Sequence, residues 1–288
     1  MSRRNKRDFW ESAKLNNATY QQYYKRLLDL AISRFEWINL PDTIDARFME
    51  LILITSGSCL FFRDEFLNDG DFLALRYAAG GDLDFYRNPI HRNAIADNGY
   101  HAERSNKNSV IIYNNYLRSS GMNDIECYAL RLYNIDRIID VNVNAQKTPV
   151  LISCPETQRL TLLNLYKEYD GNAPVIWGDN KLDVSGISSI QTGAPYVSDR
   201  LIDLKYKYWN EALTYLGYAN ITETKRERMI KDEAQQLAAG ALASRNSALQ
   251  ARRDACRQIN KMFGLNIDVN FRETIENEVT SENVDIYN

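Results

Sequence analysis

Apolar residues recur at intervals of three or four in the first sixty residues, and this spacing predicts two helices. The first runs from Ala18 to Leu40 and is stopped by Pro41. The second is short, with Asp45 suited to cap its first turn and Gly57 suited to end it. The apolar run SCLFF directly after Gly57 predicts a strand, and Ser109–Tyr113 (SVIIY) predicts another after a long polar loop.

Two longer helices are predicted further along the chain, at Asp124–Val143 and Tyr196–Leu216. Pro195 suits the first turn of the second one, and Gly217 suits its end. Two adjacent apolar rows cover most of the circumference of this second helix. A helix of this kind must be covered on several sides, either inside a large core or between neighbouring subunits. Only a narrow polar stripe interrupts the apolar rows, near Asp199, Asp203, Asn210 and Thr214.

The rest of the chain predicts an α/β insertion and a helical C-terminal part. Gln146–Ala194 has short apolar strands, TPVLIS and APVIW, around the helical segment TLLNLYKEY. After Gly217, ETKRERMIKDEAQQ predicts a charged helix, and LAAGALASRNS suits either a mobile loop or an alanine-rich helix, which propensity favours. Ser244–Phe263 predicts a helix that ends at Gly264, and LNIDVNF predicts a strand. The last sixteen residues contain five acidic residues and no basic one, which is typical of a frayed tail.

The composition is that of a chain that folds in water. Its net charge is −3, 44% of its residues are apolar, 25% are charged, and the mean hydropathy is −0.46. No apolar run approaches the ~20 residues of a membrane span, and no apolar stretch follows the basic start. We therefore expect neither a membrane protein nor an exported precursor. The four cysteines are single, which predicts reduced core residues of a cytosolic protein.

The sequence lacks the motifs of several common enzyme classes. There is no phosphate-binding loop G-x-x-x-x-G-K-[ST], no G-x-G-x-x-G and no G-x-S-x-G. His91 and His101 lie in a polar stretch without metal-ligand spacing, so neither zinc nor another cofactor is expected. One acidic stretch could hold a divalent metal, or its residues could form two turns that flank a strand, since glycines lie among them. Its aspartates are Asp69, Asp71, Asp82 and Asp84.

Eight segments, taken in order, carry a resemblance to one protein family. They are FEWINLPDTID (35–45), VIIYNN (110–115), VNVNAQKTPVLI (141–152), YDGNAPVI (169–176), TGAPYVSDRL (192–201), WNEALTYLG (209–217), KRERMIKDE (225–233) and FGLNIDVNF (263–271). The chain resembles the portal proteins of small short-tailed phages of the Picovirinae type, which are also called upper collar or head-tail connector proteins. The likeness spans most of the chain and is densest after Val141.

The resemblance implies a mainly α fold with α+β insertions. This portal fold has a wing, a helical stem and an α/β clip, and it assembles as a ring of twelve subunits at one vertex of the capsid. Five segments follow for this sequence. They are an N-terminal arm and wing at 1–122, a stem helix at 123–145, the clip at 146–195, a second stem helix at 196–217, and a channel loop, wing helix, wing strand and acidic tail at 218–288.

The resemblance also implies where the protein meets nucleic acid. Arg200 matches one basic ring of the family's channel, and Gln191 stands where the family has another lysine. With the polar stripe of the second stem helix, the implied channel-lining residues are Gln191, Asp199, Arg200, Asp203 and Asn210. The family's channel loop corresponds to 234–246, for which a helix extension packed against the wing is the alternative. Its residues include Gln235, Gln236, Leu237, Gly240, Leu242 and Arg245.

The basic start of the chain resembles an arm that contacts packaging RNA in some members of the family. A flexible cationic arm can bind nucleic acid through phosphates alone, and an exposed, solvated tail is the equally open alternative. Its basic residues are Arg3, Arg4, Lys6 and Arg7.

The implied function is a non-catalytic portal that conducts double-stranded DNA during packaging and ejection. A separate packaging ATPase would supply the energy, because this chain has no phosphate-binding loop. The other implied partners are the major capsid and scaffolding proteins, the lower collar or tail protein, and packaging RNA. The protein would reside in the virion and, during assembly, in the host cytoplasm. Two alternatives stay open: a lower-collar or tail adaptor ring, and a metal-dependent nuclease that uses the Asp69–Asp84 stretch.

Overall fold

The computed structural model describes residues 3–67, 70–145, 150–152, 187–189, 195–218 and 231–272. Within these ranges the chain forms five helices and nine strands. The helices are α1 (Arg3–Ser33), α2 (Ala46–Ser56), α3 (Met122–Ala145), α4 (Ser198–Leu216) and α5 (Lys231–Phe263). The strands are β1 (Phe35–Ile38), β2 (Ser58–Asp64), β3 (Asp71–Leu83), β4 (Pro89–Ile95), β5 (His101–Ser105), β6 (Ser109–Tyr113), β7 (Val150–Ile152), β8 (Ile187–Ser189) and β9 (Asp268–Phe271).

The chain divides into two compact units. One comprises Met1–Tyr133 and Tyr206–Asn288, and the other comprises Asn134–Lys205. The division falls inside α3 and inside α4, because each of these long helices contributes one half to each unit. The proposed boundaries of wing, stem and clip stay a prediction. Among the described residues, no helix combines the length and the apolar character that crossing a membrane requires.

The larger unit is built on an antiparallel sheet with strand order β5-β4-β3-β2-β6. Strand β2 is flanked by β3 and β6, so that Phe61 lies opposite both Ala74 and Val110. One face of the sheet forms a buried core with α2, α5 and the β1-β9 pair. This core includes Ile52, Phe61 and Ile259, all of which are fully buried. The predicted strands SCLFF and SVIIY are confirmed as β2 and β6.

A second core in the same unit lies between helices. It joins α1, the first half of α3 and the last half of α4 through Leu27, Ala129, Leu132, Ala212 and Leu216, which are all buried. These are apolar positions at helical spacing, as the sequence predicts for α3 and α4. The helical part of the fold therefore follows from local periodicity.

The short helix α2 begins and ends where the sequence predicts. Asp45 is its N-cap, and its carboxylate accepts a hydrogen bond from the backbone N–H of Phe48 at 3.1 Å. Gly57 adopts a left-handed conformation with a φ of 81°, and its N–H donates to the carbonyl of Leu53 at 2.9 Å. The helix therefore stops at a residue that can leave the helical path without strain.

The first predicted helix is wrong at its C-terminal end. The structure ends α1 at Ser33, and Phe35–Ile38 forms β1 instead. This strand pairs antiparallel with β9, with Phe35 opposite Phe271 and Ile38 opposite Asp268. The apolar spacing continues past Ser33, but pairing with a strand at the other end of the chain overrides it.

The prediction of a long polar loop before Ser109 is also wrong, because most of this segment forms β4 and β5. His91 and His101 lie in these two strands and not in an irregular loop. Along β4, buried positions such as Arg92 and Ala94 alternate with exposed ones. The buried set of β4 contains an arginine and its exposed set mixes His91 and Asn93 with Ile95, so the strand lacks the apolar pattern that would have indicated it.

The smaller unit contains the end of α3, the start of α4 and the two-stranded sheet of β7 and β8. Leu151 lies opposite Ser188 in this antiparallel pair. The predicted strand TPVLIS is confirmed in part as β7. APVIW and TLLNLYKEY lie outside the described residues, as do residues 223–230 of the predicted charged helix.

The cysteine prediction is confirmed at two positions and wrong at a third. Cys59 and Cys256 are buried free thiols, whereas Cys127 is exposed on α3. Cys127 lies on the side of that helix opposite its buried apolar row. The prediction failed there because the isolation of a cysteine in the sequence does not show whether it is buried. Cys154 lies outside the described residues.

Candidate functional site

The predicted polar stripe lies on the exposed side of α4. Asp199 and Asp203 are exposed and are one helical turn apart, and Asn210 is half-buried about two turns further on. Arg200 is exposed too, and its position is about 100° round the helix axis from Asp199. Gln191 lies outside the described residues. The stripe therefore presents two carboxylates to solvent, with the exposed cations Arg200 and Lys207 beside them.

The start of α4 is fixed to α3 by one asparagine. The side-chain oxygen of Asn142 accepts hydrogen bonds from Ser198 Oγ at 2.9 Å and from the N–H of Val197 at 3.1 Å. A short ion pair between Lys205 Nζ and Asp136 Oδ1, at 2.7 Å, joins the same two helices. These contacts hold the first turns of α4 in one rotational setting, with Asp199 facing outward. The helix begins at Ser198, so the predicted place of Pro195 in its first turn is wrong by one turn.

Apolar side chains lie exposed on both sides of the polar stripe. At helical spacing, Ile202 and Tyr206 flank one side of it and Leu204 flanks the other, and all three are exposed. On α3, Ile138 and Val141 lie three residues apart on one face and are 51% and 65% exposed. Exposed apolar residues in rows along a helix are typical of a surface that another protein covers.

The C-terminal end of α4 is held by residues of α5. Gly217 has a φ of 91°, and its carbonyl accepts a hydrogen bond from Arg245 Nε at 3.1 Å. The guanidinium of Arg245 also lies 4.0 Å from the ring centroid of Phe271, and Ser244 Oγ donates to the carbonyl of Tyr215. Arg245 is the only charged residue of the predicted channel loop, and its guanidinium contacts Gly217 and Phe271 of the same protomer.

The predicted channel loop at 234–246 is part of a continuous helix. Helix α5 runs without a break through this segment, so the alanine-rich helix that propensity favours is confirmed and the loop conformation is wrong. Five alanines at 234–246 stabilise the helix, and Gly240 does not interrupt it. Gly240 and Leu242 are exposed, whereas the side chains of Gln235, Gln236 and Leu237 lie outside the described ones. Contact of this segment with DNA stays a prediction.

The basic N-terminal arm belongs to α1. Its four basic positions, Arg3, Arg4, Lys6 and Arg7, lie in the first two turns of the 31-residue helix, and their side chains lie outside the described ones. The backbone there is helical, whereas the sequence-based expectation was a flexible segment.

A buried network of charges, which sequence reasoning missed, lies where α2, α5 and the β1-β9 pair meet. Arg252 Nε and Nη2 donate to the two carboxylate oxygens of Glu50 at 2.9 and 2.7 Å, and Trp37 Nε1 donates to the same carboxylate at 2.9 Å. Arg252 Nη1 also donates to the carbonyl of Asn114 at 2.9 Å. One signal could have revealed it, because Glu50 is a charged residue at an apolar position of α2.

A second arginine completes this network. Arg34 Nη2 lies 3.4 Å from the side-chain oxygen of Asn114, and Arg34 Nη1 lies 3.5 Å from the carbonyl of Leu216, the last residue of α4. Burial, followed by the charge of Arg252, lowers the pKa of Arg34 to about 10. The network thus links the end of α4 to the core of the larger unit.

Asp84 forms a turn at the end of β3, as one of the two interpretations predicts, whereas Asp71 and Asp82 lie within this strand. Asp84 Oδ1 accepts hydrogen bonds from the backbone N–H of Tyr86 at 2.9 Å and of Asn88 at 2.7 Å, and Asp84 Oδ2 accepts one from Asn88 Nδ2 at 2.8 Å. The side-chain bond from Asn88 is the main reason that the pKa of Asp84 is lowered. In the parts of the chain that the structure describes, which omit Asp69, no group of three His, Cys, Asp or Glu residues could hold a metal.

A buried carboxylate at the opposite end of the sheet is held in a similar way. Tyr100 donates its hydroxyl proton to Asp64, and Arg104 Nη2 lies 3.3 Å from the same carboxylate. The hydrogen bond from Tyr100 is the main cause that lowers the pKa of Asp64, whereas burial and then Asp64 raise the pKa of Tyr100 to about 12. Both carboxylates therefore stabilise turns.

Three solved structures are similar to this chain, and the first of them shares its fold. The first is the portal in the structure "Portal and tail of native bacteriophage P68", with a TM-score of 0.51 and 16% identity over 99% of this chain and 98% of that chain. The second is an HK97-family phage portal protein from Corynebacterium diphtheriae, with a TM-score of 0.44 and 10% identity over 88% and 92% of the two chains. The third, from the virion of a native gene transfer agent, has a TM-score of 0.45 and 10% identity over 91% and 82%.

The fold is therefore that of a phage portal protein, the class that the resemblance of the eight segments implies. The model of the family Phage Connector (GP10) matches residues 4–276, and this chain belongs to that family. The protein is a structural, non-enzymatic component of the portal vertex of a phage virion, where it connects head and tail. The nuclease alternative loses its basis, because the family is structural and the Asp84 carboxylate is engaged in a turn.

Proposed function

We propose that twelve copies of this chain form a ring whose central channel conducts double-stranded DNA during packaging and ejection. The observation that carries the proposal is the surface of α4, where the exposed carboxylates of Asp199 and Asp203 lie between exposed apolar side chains. In a closed ring every protomer uses two different surfaces for its two neighbours. The apolar sides of α4 would meet the neighbours, and the polar stripe between them would face the channel.

The charge of the chain also suits a conduit. DNA must be held without being trapped, and a strongly cationic lining would bind phosphates tightly through counterion release. The stripe is acidic at Asp199 and Asp203, and the chain carries a net charge of −3. Arg200 beside the stripe would form one basic ring, which would make brief contacts with passing phosphates and hinder back-slipping.

The proposed partners follow from the same assembly. A separate packaging ATPase would dock on the ring, because the sequence holds no phosphate-binding loop. The major capsid and scaffolding proteins would surround the larger unit. The lower collar or tail protein would attach at the end of the ring that lies outside the capsid. The basic positions at the start of α1 would meet packaging RNA. The lower-collar or tail adaptor ring stays the competing assignment.

Electron microscopy of the purified protein tests the proposal. We expect rings of twelve 33.3-kDa chains with a central hole wide enough for a duplex. A protein that stays monomeric at high concentration, or that closes into an oligomer without a hole, would overturn it. Binding of the rings to empty procapsids separates the two assignments, because an adaptor would bind only completed heads.

A further inference from the structure

Arg92, on β4, is a buried arginine that forms no ion pair with any described residue. It is 6% exposed, and its Nε and Nη1 donate to the carbonyls of Pro89 at 3.0 Å and of Ser109 at 2.6 Å. Nη1 also lies 3.2 Å from Ser109 Oγ, whereas Nη2 has no hydrogen-bond partner in the described part of the chain. Carbonyl oxygens satisfy N–H groups but supply no counter-charge, and an unpaired buried charge costs free energy. Burial accordingly lowers the pKa of Arg92.

A cavity of about 420 Å³ lies beside Arg92, and a second arginine lines it. Arg118, in the link between β6 and α3, is exposed, and its guanidinium lies 4.5 Å from the ring centroid of Tyr113. Its Nη1 donates to Asn88 Oδ1 at 2.8 Å. Arg118 has a φ of 60°, a conformation that costs free energy in a residue other than glycine and persists only where surrounding contacts hold it. Two guanidinium groups from different elements thus meet at one cavity, and neither is ion-paired to a described residue.

The two carboxylates among the described lining residues are bound by other groups. Asp84 accepts three hydrogen bonds in its turn, from two backbone N–H groups and from Asn88 Nδ2. Asp254, on α5, accepts a hydrogen bond from Gln250 Nε2 at 2.8 Å and forms an ion pair with Arg257. These oxygens are therefore engaged, whereas the cavity retains an N–H donor at Arg92 Nη2.

We propose that this cavity binds the phosphate of a phosphate monoester, with Arg92 and Arg118 as its cationic ligands. Donors reach the cavity from several sides, because Asn106 and Gln258, which carry amide side chains, line it from the β5–β6 link and from α5. A planar carboxylate is satisfied by a single guanidinium fork. A phosphate monoester presents three acceptor oxygens in different directions, and its charge of about −1.5 to −2 balances two arginines.

The shape of the site favours a monoester over the phosphodiesters of a duplex. Arg92 is 6% exposed, so a group that pairs with it must enter the cavity, whereas an internal phosphodiester carries a nucleotide on both sides. The volume is within the range of small-molecule sites, and the exposed Tyr116 at the same cavity offers a ring to an organic substituent. The described lining residues include none from α4 or from 234–246, so the site is separate from the proposed channel surface.

Thermal unfolding and calorimetric titration of the full-length chain test the site with three probes. These are inorganic phosphate, adenosine monophosphate and a thymidine oligonucleotide without terminal phosphates. We expect the first two to raise the thermal midpoint above that in chloride at equal ionic strength, because they bind only the folded chain. The oligonucleotide should not compete with adenosine monophosphate. Equal competition would refute a monoester site, and the absence of a shift with the first two probes would overturn the proposal.

Variants at exposed positions assign the binding to this cavity. Arg118→Gln should weaken the binding of adenosine monophosphate at least tenfold, because one charge-assisted contact is lost. Gln258→Glu keeps the size of the side chain and should abolish binding by placing a carboxylate at the cavity. Arg87→Gln is the matched control, since Arg87 is also an exposed arginine with a φ of 62° but does not line the cavity. Equal losses in Arg118→Gln and Arg87→Gln, or unchanged affinity in Gln258→Glu, would contradict the assignment.

Discussion

Arg252 and Glu50 form a bidentate ion pair in which the two side chains are 0% and 3% exposed. The residues lie 202 positions apart in the sequence, on α5 and α2, and their pairing fixes α5 against α2. Because α5 in turn holds the end of α4 through Arg245, the ion pair also determines where the last turn of that long helix lies.

We expect Glu50→Gln to destabilise the protein strongly. The substitution leaves the Arg252 guanidinium buried without a counter-charge, which costs about 3–5 kcal/mol when one partner of a buried pair is lost. Urea unfolding measures this loss. Arg47→Gln is the control, because Arg47 and Asp45 form an exposed pair worth about 1 kcal/mol or less. A loss below about 1 kcal/mol in Glu50→Gln would mean that water reaches the site.

Two glycine substitutions should act in opposite directions. Gly217→Ala places a Cβ 2.9 Å from Arg245 Cβ at a φ of 91°, and we expect a loss of about 2 kcal/mol or more from strain and crowding. Gly240→Ala adds a Cβ at ordinary contact with Thr214, 3.8 Å away, in the middle of α5, and should gain about 0.5–1 kcal/mol. Thermal unfolding compares the two. Destabilisation by Gly240→Ala would argue that 234–246 is not a stable helix.

The contribution of the Asp64–Tyr100 hydrogen bond to the free energy of unfolding should decrease both at low pH and at high pH. The pKa of Asp64 is lowered in the folded protein. The Asp64 carboxylate therefore stabilises the fold above the pKa of an unfolded aspartate, which is about 4, and this stabilisation is lost as the pH falls further. The pKa of Tyr100 is raised to about 12, so its contribution is complete below about 10 and is lost as the pH rises through 12. We expect Tyr100→Phe to cost about 1–2 kcal/mol between pH 5 and 9.

Urea unfolding of the parent chain and of Tyr100→Phe across the pH range provides the measurement. The difference in the free energy of unfolding between the parent chain and Tyr100→Phe should become smaller below pH 4 and above pH 10. A difference that is independent of pH would show that the phenol packs against its surroundings without stabilising the Asp64 carboxylate.

Val141→Asp should prevent assembly without unfolding the protomer. Val141 is 65% exposed, so a charge there costs the isolated chain little, whereas it would be buried unpaired between subunits of the proposed ring. Mass photometry should find protomers in place of rings, with an unchanged thermal midpoint. Val141→Ala should assemble more weakly than the parent but still form rings. Normal rings from Val141→Asp would place Val141 outside the subunit interface.

Arg200→Ala should leave the ring intact and change how it holds DNA. Arg200 is exposed on α4, so its removal should not alter folding. Loss of one cation per protomer should reduce retention of packaged DNA and the dependence of that retention on salt, because fewer counterions are released. Arg47→Ala, which removes an exposed cation on α2, serves as the control. An assembly defect in Arg200→Ala would assign this residue to a subunit contact.

Local pattern predicts most helices because its signals lie within a few residues of each other. The cap at Asp45 and the stops at Gly57, Gly217 and Gly264 are found as predicted, since a cap and a positive φ depend only on neighbouring residues. The polar stripe on α4 is exposed for the same reason, because helical spacing alone places Asp199 and Asp203 on one face.

The misassigned elements depend on residues far along the chain. β1 exists because Phe35 meets Phe271, and no local pattern records that partner. β4 and β5 lack an apolar run, and they are strands only because β4 pairs with β3 and β5 pairs with β4. No local pattern indicates that Arg245, in the predicted channel loop, contacts the carbonyl of Gly217 and the ring of Phe271 within the protomer.

The sequence by itself determined the family, the long helices and their caps, and the polar stripe of α4. The helices, caps and stripe depend on the spacing of nearby residues, and the family is identified from short segments that follow one another in a fixed order. The tertiary structure alone decided which charges are buried. Nothing near Arg252 or Arg34 in the sequence indicates that they are buried, and Glu50 stands out only as a charged residue at an apolar position of α2. Burial follows from the three-dimensional proximity of distant segments, and the free energy of a charge depends on that environment far more than on its neighbours in sequence.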